Sequence, residues 1–181
     1  MADHQHAPTG SSSVNPILIE AVRGDAVEST HHGSFAVVDA HGRVVMATGD
    51  TDTPVFPRSG IKPIQALALI ETGAAKAFGL GHANIALACA SHNGEITHTD
   101  IVGNWLQKIG CTPDDLVCGP SQPWTDEAKA ELTKGGTEPS ALHDNCSGKH
   151  TGFLTIAKHL DHPILGYSRG DHPVQQRVIG I

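Results

Sequence analysis

The sequence predicts an α+β fold with its strands first and its helices after. Three observations carry this. Apolar runs of strand length crowd the stretch before Pro54, with turn residues between them. From Lys62 onward, apolar residues recur at helical spacing. Gly73, Gly110 and Gly135-Gly136 stop the helical patterns one after another.

The elements follow in order. Ile17–Arg23 reads as a strand that turns at Gly24-Asp25, and Ser34–Asp39 reads as a second. Asp39-Ala40-His41-Gly42 is a hairpin turn into a third strand, Arg43–Gly49. Their centres alternate poorly, so the small antiparallel sheet is expected to be covered on both faces. Lys62–Thr72 is a helix with Pro63 in its first turn, where proline costs little. Asn84–Ala90 is a short apolar run, read as strand-like, that empties into Ser91-His92-Asn93-Gly94. Helices are expected over Thr97–Ile109, Thr125–Lys134, from Cys146 to Leu160 and over Val174–Ile181, with a short element at Asp114-Asp115. The last helix is still amphipathic at Ile181, so the chain is expected to be the front part of a longer domain.

Composition narrows the function. In 181 residues, 39% hydrophobic and 17% charged, a buried core is affordable and residues 14–181 are expected to fold. Residues 1–13, polar and with three serines at their end, are expected to be a disordered arm. Aromatic residues at 4% and a net charge of −7 without a basic run argue against nucleic acid and anionic membranes as partners. No run approaches the roughly 20 apolar residues of a membrane span. The N-terminus has no basic-plus-apolar leader pattern, and four scattered cysteines form no dense secreted framework, so a cytoplasmic location is expected.

Three segments carry candidate chemistry. In Pro57-Arg58-Ser59-Gly60-Ile61-Lys62-Pro63, a serine and a lysine stand three residues apart, on one face of a helix. Ser-x-x-Lys is the minimal kit for a serine acyl-enzyme that works without a histidine triad. A lysine acts as a base only after losing its proton, so the scheme needs burial or a nearby cation. Arg58 is the near one, and it would also attract a carboxylate-bearing substrate. Alone the motif is also that of a helix start with a capping serine. Ser91-His92-Asn93-Gly94 offers a second hydroxyl at the end of an apolar run, or a plain Asn-Gly turn. Asn145-Cys146-Ser147-Gly148-Lys149-His150 opens a helix with a thiol, an amine and an imidazole. Cys146 and His150, at i and i+4, have the spacing of zinc ligands, yet a zinc site wants three protein ligands and no Cys-x-x-Cys is present. A helix start with a small buried cysteine fits the same residues.

Taken in order and spacing, P-R-S-G-I-K-P-I-Q-A, C-A-S-H-N-G-E-I-T-H-T-D and H-D-N-C-S-G-K-H-T-G-F-L resemble the rhizobial-type, or third-class, L-asparaginases, from about Pro16 to the last residue. The resemblance implies a fold similar to serine β-lactamases and penicillin-binding proteins. It implies hydrolysis of L-asparagine to aspartate and ammonia by two Ser–Lys tandems, in a protein expected to be a homodimer. Ser59 matches the nucleophile, Lys62 its partner and Ser91 the serine of the second tandem. Arg58, His92, Asn145 and His150 lie in these motifs as the expected substrate-binding residues. Cys146 and Lys149 match two zinc ligands of a site that helps bind substrate. The family chain is about twice as long, with the second lysine and the remaining metal ligands in its later half. This sequence therefore matches the N-terminal half, and zinc binding and activity of the chain alone are open. A glutaminase or β-lactamase of the same architecture and a non-catalytic half-domain are the alternatives.

Overall fold

The computed structural model describes residues 15–181. The expected arm, residues 1–13, lies outside them. The chain divides into two compact units, a first that ends at Phe56 and a second spanning Pro57–Ile181.

The first unit holds two antiparallel hairpins, each a separate two-stranded sheet. In one, β1 (Ile17–Arg23) pairs with β2 (Ala26–His32) through a turn at Gly24, whose φ of +60° suits glycine. In the other, β3 (Phe35–Val38) pairs with β4 (Val44–Thr48). Asp39 builds the predicted turn between them. Its carboxylate accepts the backbone N–H groups of His41 (2.8 Å) and Arg43 (3.0 Å) and pairs with the Arg43 guanidinium at 2.7 Å. Those hydrogen bonds hold the Asp39 carboxyl below the usual range. Two expectations change here. β2 is a strand that its polar sequence A-V-E-S-T-H-H concealed. The sheet is not covered either: β1, β2 and β3 are exposed at every residue, and β4 at all but its last.

The second unit is helical, and its centre is α6 (Ser147–His159). α6 buries nine residues around its circumference, from Ser147 to Ala157, so it must be wrapped. It packs against α1 (Lys62–Glu71), α2 (Ala74–Ala77), α3 (His82–Cys89), α4 (Ile96–Lys108) and α7 (Pro173–Ile179). α5 (Asp126–Lys134) lies towards the surface. Leu69, Leu106, Leu154 and Ile156 are at most 1% exposed, and each such side chain contributes about 1.5–3 kcal/mol on burial. Trp105, equally buried, donates its indole N–H to Thr155 Oγ1 at 2.9 Å, so its polar atom is satisfied.

Small residues let the helices meet closely. A Cβ on Gly148 would stand 2.5 Å from the Leu87 carbonyl oxygen, so α6 crosses α3 with backbone against side. α1 starts at Lys62 with Pro63 in its first turn and ends at Gly73, whose φ is +78°. The apolar run expected as a strand is α3. Four alanine and leucine residues favour the helix, and the Asn84 side chain accepts the Gly81 N–H at 3.0 Å to cap it. Among the described residues no helix is long and apolar enough to cross a membrane.

Candidate active site

Three stretches of the second unit converge on the Lys62 amine. The first is the approach to α1. Arg58 has φ +48°, the left-handed region that costs a side-chain-bearing residue energy, and a 3-10 turn, Arg58–Ile61, then delivers Ser59. α1 follows at once, so Lys62, its first residue, points inward and is only 2% exposed. The second stretch is the end of α3, where Ala90 turns extended and Ser91 follows. The third is Asn145, ahead of α6.

Lys62 Nζ donates to Ser91 Oγ at 2.8 Å, to the Ala90 carbonyl at 2.9 Å and to the Asn145 carbonyl at 3.3 Å. Three acceptors match the three N–H bonds of an ammonium group. Ser91 Oγ in turn donates to Ser59 Oγ at 3.0 Å. Both hydroxyls are exposed while the amine behind them is buried. The sequence placed Ser59 and Lys62 on one helix face as direct partners. The structure instead gives the amine to Ser91 and sets Ser59 one hydroxyl further out, because the chain between them changes from a 3-10 turn to an α-helix. Arg58 is exposed and makes no ion pair among the described residues.

His92 faces inward, 5% exposed. Its Nδ1 accepts the Gly94 N–H at 3.1 Å, so the ring proton sits on Nε2, which meets Ser147 Oγ at 2.8 Å. Ser147 Oγ donates its own hydrogen bond to the Leu142 carbonyl at 3.0 Å. Burial, then the charges of His98 and Lys62, push His92 down to about 4 against the opposing pull of Asp144. Both ring nitrogens are thus engaged by the protein, and the backbone N–H of His92 fixes the same Asn145 carbonyl that Lys62 uses, at 3.3 Å. His150 is also neutral, driven down to about 4 by burial and then Lys149. Its Nδ1 is hydrogen-bonded to the Tyr167 hydroxyl at 2.9 Å, and that hydroxyl accepts the Val117 N–H at 3.0 Å. His150 Nε2 has no protein hydrogen-bond partner among the described residues. The Asn145 side chain is engaged by its neighbour, accepting from the Cys146 thiol at 3.0 Å.

Cys146 and Lys149 both lie at the start of α6, half-buried. The Lys149 amine stands 5.9 Å from the centre of the Phe153 ring, in cation–π range. Among the described residues no three His, Cys, Asp or Glu side chains are grouped to hold a metal. A thiol with an amine is short of the three protein ligands that a zinc site wants. The residues present do not make a complete zinc site.

Sequence reasoning missed the carbonyls of Ala90 and Asn145, Ser147 and Tyr167. Ser147 was inside a motif already singled out. No local pattern marks Tyr167 or the direction of a carbonyl.

A buried amine behind two linked hydroxyls brings nucleophile and base side-chain types together. The family model of L-asparaginase II matches residues 19–181, and the chain belongs to that family. Comparison with curated proteins gives no match.

Proposed function

We propose that this chain is an L-asparagine amidohydrolase of the rhizobial type, working through a serine acyl-enzyme. The observation that carries this reading is the continuous hydrogen-bonded line Ser59–Ser91–Lys62. With its amine neutral, Lys62 keeps two N–H bonds on the Ala90 and Asn145 carbonyls and turns its lone pair to Ser91, whose hydroxyl rotates to donate to the amine and accept from Ser59. Ser59 Oγ attacks the side-chain amide carbon. Its proton passes to Ser91 as the Ser91 proton passes to Lys62. The tetrahedral intermediate collapses with the C–N bond breaking, and the proton returns from Lys62 through Ser91 to the departing nitrogen, which leaves as ammonia. Water then cleaves the ester to release aspartate and restores Ser59. Arg58 and the free Nε2 of His150 are assigned to the substrate, and His92 positions the Asn145 carbonyl.

The β-lactamase-like architecture, a homodimer and a cytosolic location belong to the same reading. Cys146 and Lys149 are proposed as two donors to a zinc ion whose further ligands come from outside the described residues. No step of the reaction is routed through it.

The test is ammonia release by the full chain from L-asparagine and L-glutamine, with β-lactam ring opening as a third arm. Asparagine is expected to be preferred, and Ser59→Ala to lower its turnover at least about a thousandfold. A variant that kept most of the activity would remove Ser59 as nucleophile, and preference for glutamine or a β-lactam would replace the substrate.

A further inference from the structure

Tyr167 is the one tyrosine in the 181 residues, and it lies 1% exposed between α6 and α7. No step of the proposed reaction uses it. Its carbonyl accepts from the Gln175 side chain at 2.9 Å, which ties it to α7. Its ring meets the His150 ring edge-on, with centroids 5.6 Å apart and planes at 74°. Phe153 stands against the same imidazole at 6.2 Å and 78°. His150 is thus held between two rings, and packing sets its orientation.

Among the described residues the Tyr167 hydroxyl has two polar neighbours. The Val117 backbone N–H lies at 3.0 Å and His150 Nδ1 at 2.9 Å. A backbone N–H can only donate, so it takes a lone pair of the phenol oxygen. The phenol is protonated at neutral pH, and its own proton needs an acceptor. An imidazole nitrogen accepts only when it carries no proton. Were Nδ1 protonated, the phenol oxygen would receive two N–H groups and its proton would be buried without a partner, which is costly. A ring protonated on both nitrogens would leave the same orphan. The far side of the ring is open. His150 Nε2 has no protein partner, and the one buried side-chain atom without a partner among the described residues is His98 Nδ1. Solvent, or a ligand, therefore reaches His150 Nε2.

We propose that Tyr167 is a positioning residue, whose hydroxyl donates to His150 Nδ1, fixes the ring proton on Nε2 and so makes His150 a hydrogen-bond donor to the substrate. The last step rests on the assignment of His150 to the substrate. The group that His150 meets is then an acceptor oxygen of the amino acid, in a carboxylate or an amide, and not its ammonium. The same hydroxyl holds the Val117 N–H, so one buried phenol both sets the tautomer and joins α6 to the loop at Val117.

Long-range proton–nitrogen correlation spectra of the full chain, its histidines labelled with nitrogen-15, read the proton directly at neutral pH. His150→Gln identifies the signal by its loss. The parent is expected to show Nδ1 at the unprotonated position and Nε2 at the protonated one. A proton on Nδ1, or averaging between the two nitrogens, would overturn the proposal. Growth on 3-fluorotyrosine then alters this phenol alone and keeps its hydroxyl. Fluorine makes the phenol a stronger donor, and burial, which pushes the Tyr167 hydroxyl above its usual range, keeps it protonated. The Nδ1 signal should move upfield, towards the protonated position, and an unmoved signal would remove Tyr167 as the donor. Tyr167→Phe should raise KM for L-asparagine about threefold with kcat little changed, and an unchanged KM would cut the link to the substrate. That variant also strips the Val117 N–H of its acceptor; if it fails to fold, the fluorinated chain decides. A parent without turnover counts against the catalytic reading alone, because the spectra report the proton whether or not the reaction runs.

Discussion

In the proposed mechanism Ser91 stands between the hydroxyl that loses a proton and the amine that takes it. Its Oγ is 3.0 Å from Ser59 Oγ and 2.8 Å from Lys62 Nζ, and among the described residues nothing else bridges the two. Ser91→Ala should therefore lower kcat for asparagine about a hundredfold to ten-thousandfold, the range of a lost proton-transfer group, with KM little changed. Steady-state kinetics on asparagine checks this, and a drop of less than tenfold would show that Ser59 reaches Lys62 without it. The three side chains were legible in the sequence because each lies in a short motif of nucleophile and base types. Their order was not. Ser-x-x-Lys pairs its residues directly only on a regular helix, and the 3-10 turn with a left-handed Arg58 removes that regularity. The two carbonyls on Lys62 were beyond reach for a different reason: a carbonyl's direction is decided by where α3 ends and how Asn145 enters α6.

Helix α6 earns its central place through what it lacks on the side that meets α3. Gly148 leaves room for the Leu87 carbonyl, and Gly152 lies 3.7 Å from Leu69, 3.8 Å from Ala88 and 3.8 Å from Trp105 as a Cβ would see them. Gly148→Ala has no flexible neighbour to displace, since the obstacle is backbone. It should destabilise the chain by about 1–3 kcal/mol or more, and because Asn145 and Lys149 ride on this end of α6, activity should fall with it. Urea midpoints of parent and variant measure the effect, and coincident midpoints would mean the crossing is looser than described. Helical elements with clear stops, such as α1 ended by Gly73 and α4 ended near Gly110, were legible. α3 was not, because eight residues rich in alanine and leucine carry no periodicity that separates a buried strand from a buried helix. β2 was hidden by composition: its polar residues suit a hairpin exposed on both faces.

At the scale of the whole molecule, two neutral histidines tie stability to pH. His92 and His150 are each held near 4 when folded, against 6.5 for a free imidazole, chiefly by burial. Between these values the unfolded chain binds more protons, so stability is full above about pH 6.5 and is lost as pH falls towards 4. Urea midpoints at pH 7, 5.5 and 4.5 should decline in that order, and His150→Phe should flatten part of the slope. A constant midpoint would mean both rings accept protons in place. The division into a strand-rich front and a helical remainder was legible at this scale, since it rests on hydrophobic period. The bare hairpins were not, because a strand's sequence says which residues could be covered and not whether anything covers them.

Every buried hydrophobic residue described lies beyond Phe56, while Ile19, Val22, Val45 and other large side chains of the hairpins are more than half exposed. Backbone amides differ accordingly in how often water reaches them. Those of β1–β4 are held in two-stranded sheets of exposed residues, and such ribbons are marginal in water. In deuterium exchange followed by mass spectrometry, peptides from residues 17–48 should be fully labelled while those spanning Trp105 and Leu154 are still largely protonated. Equal protection across both units would show that the strands are sheltered.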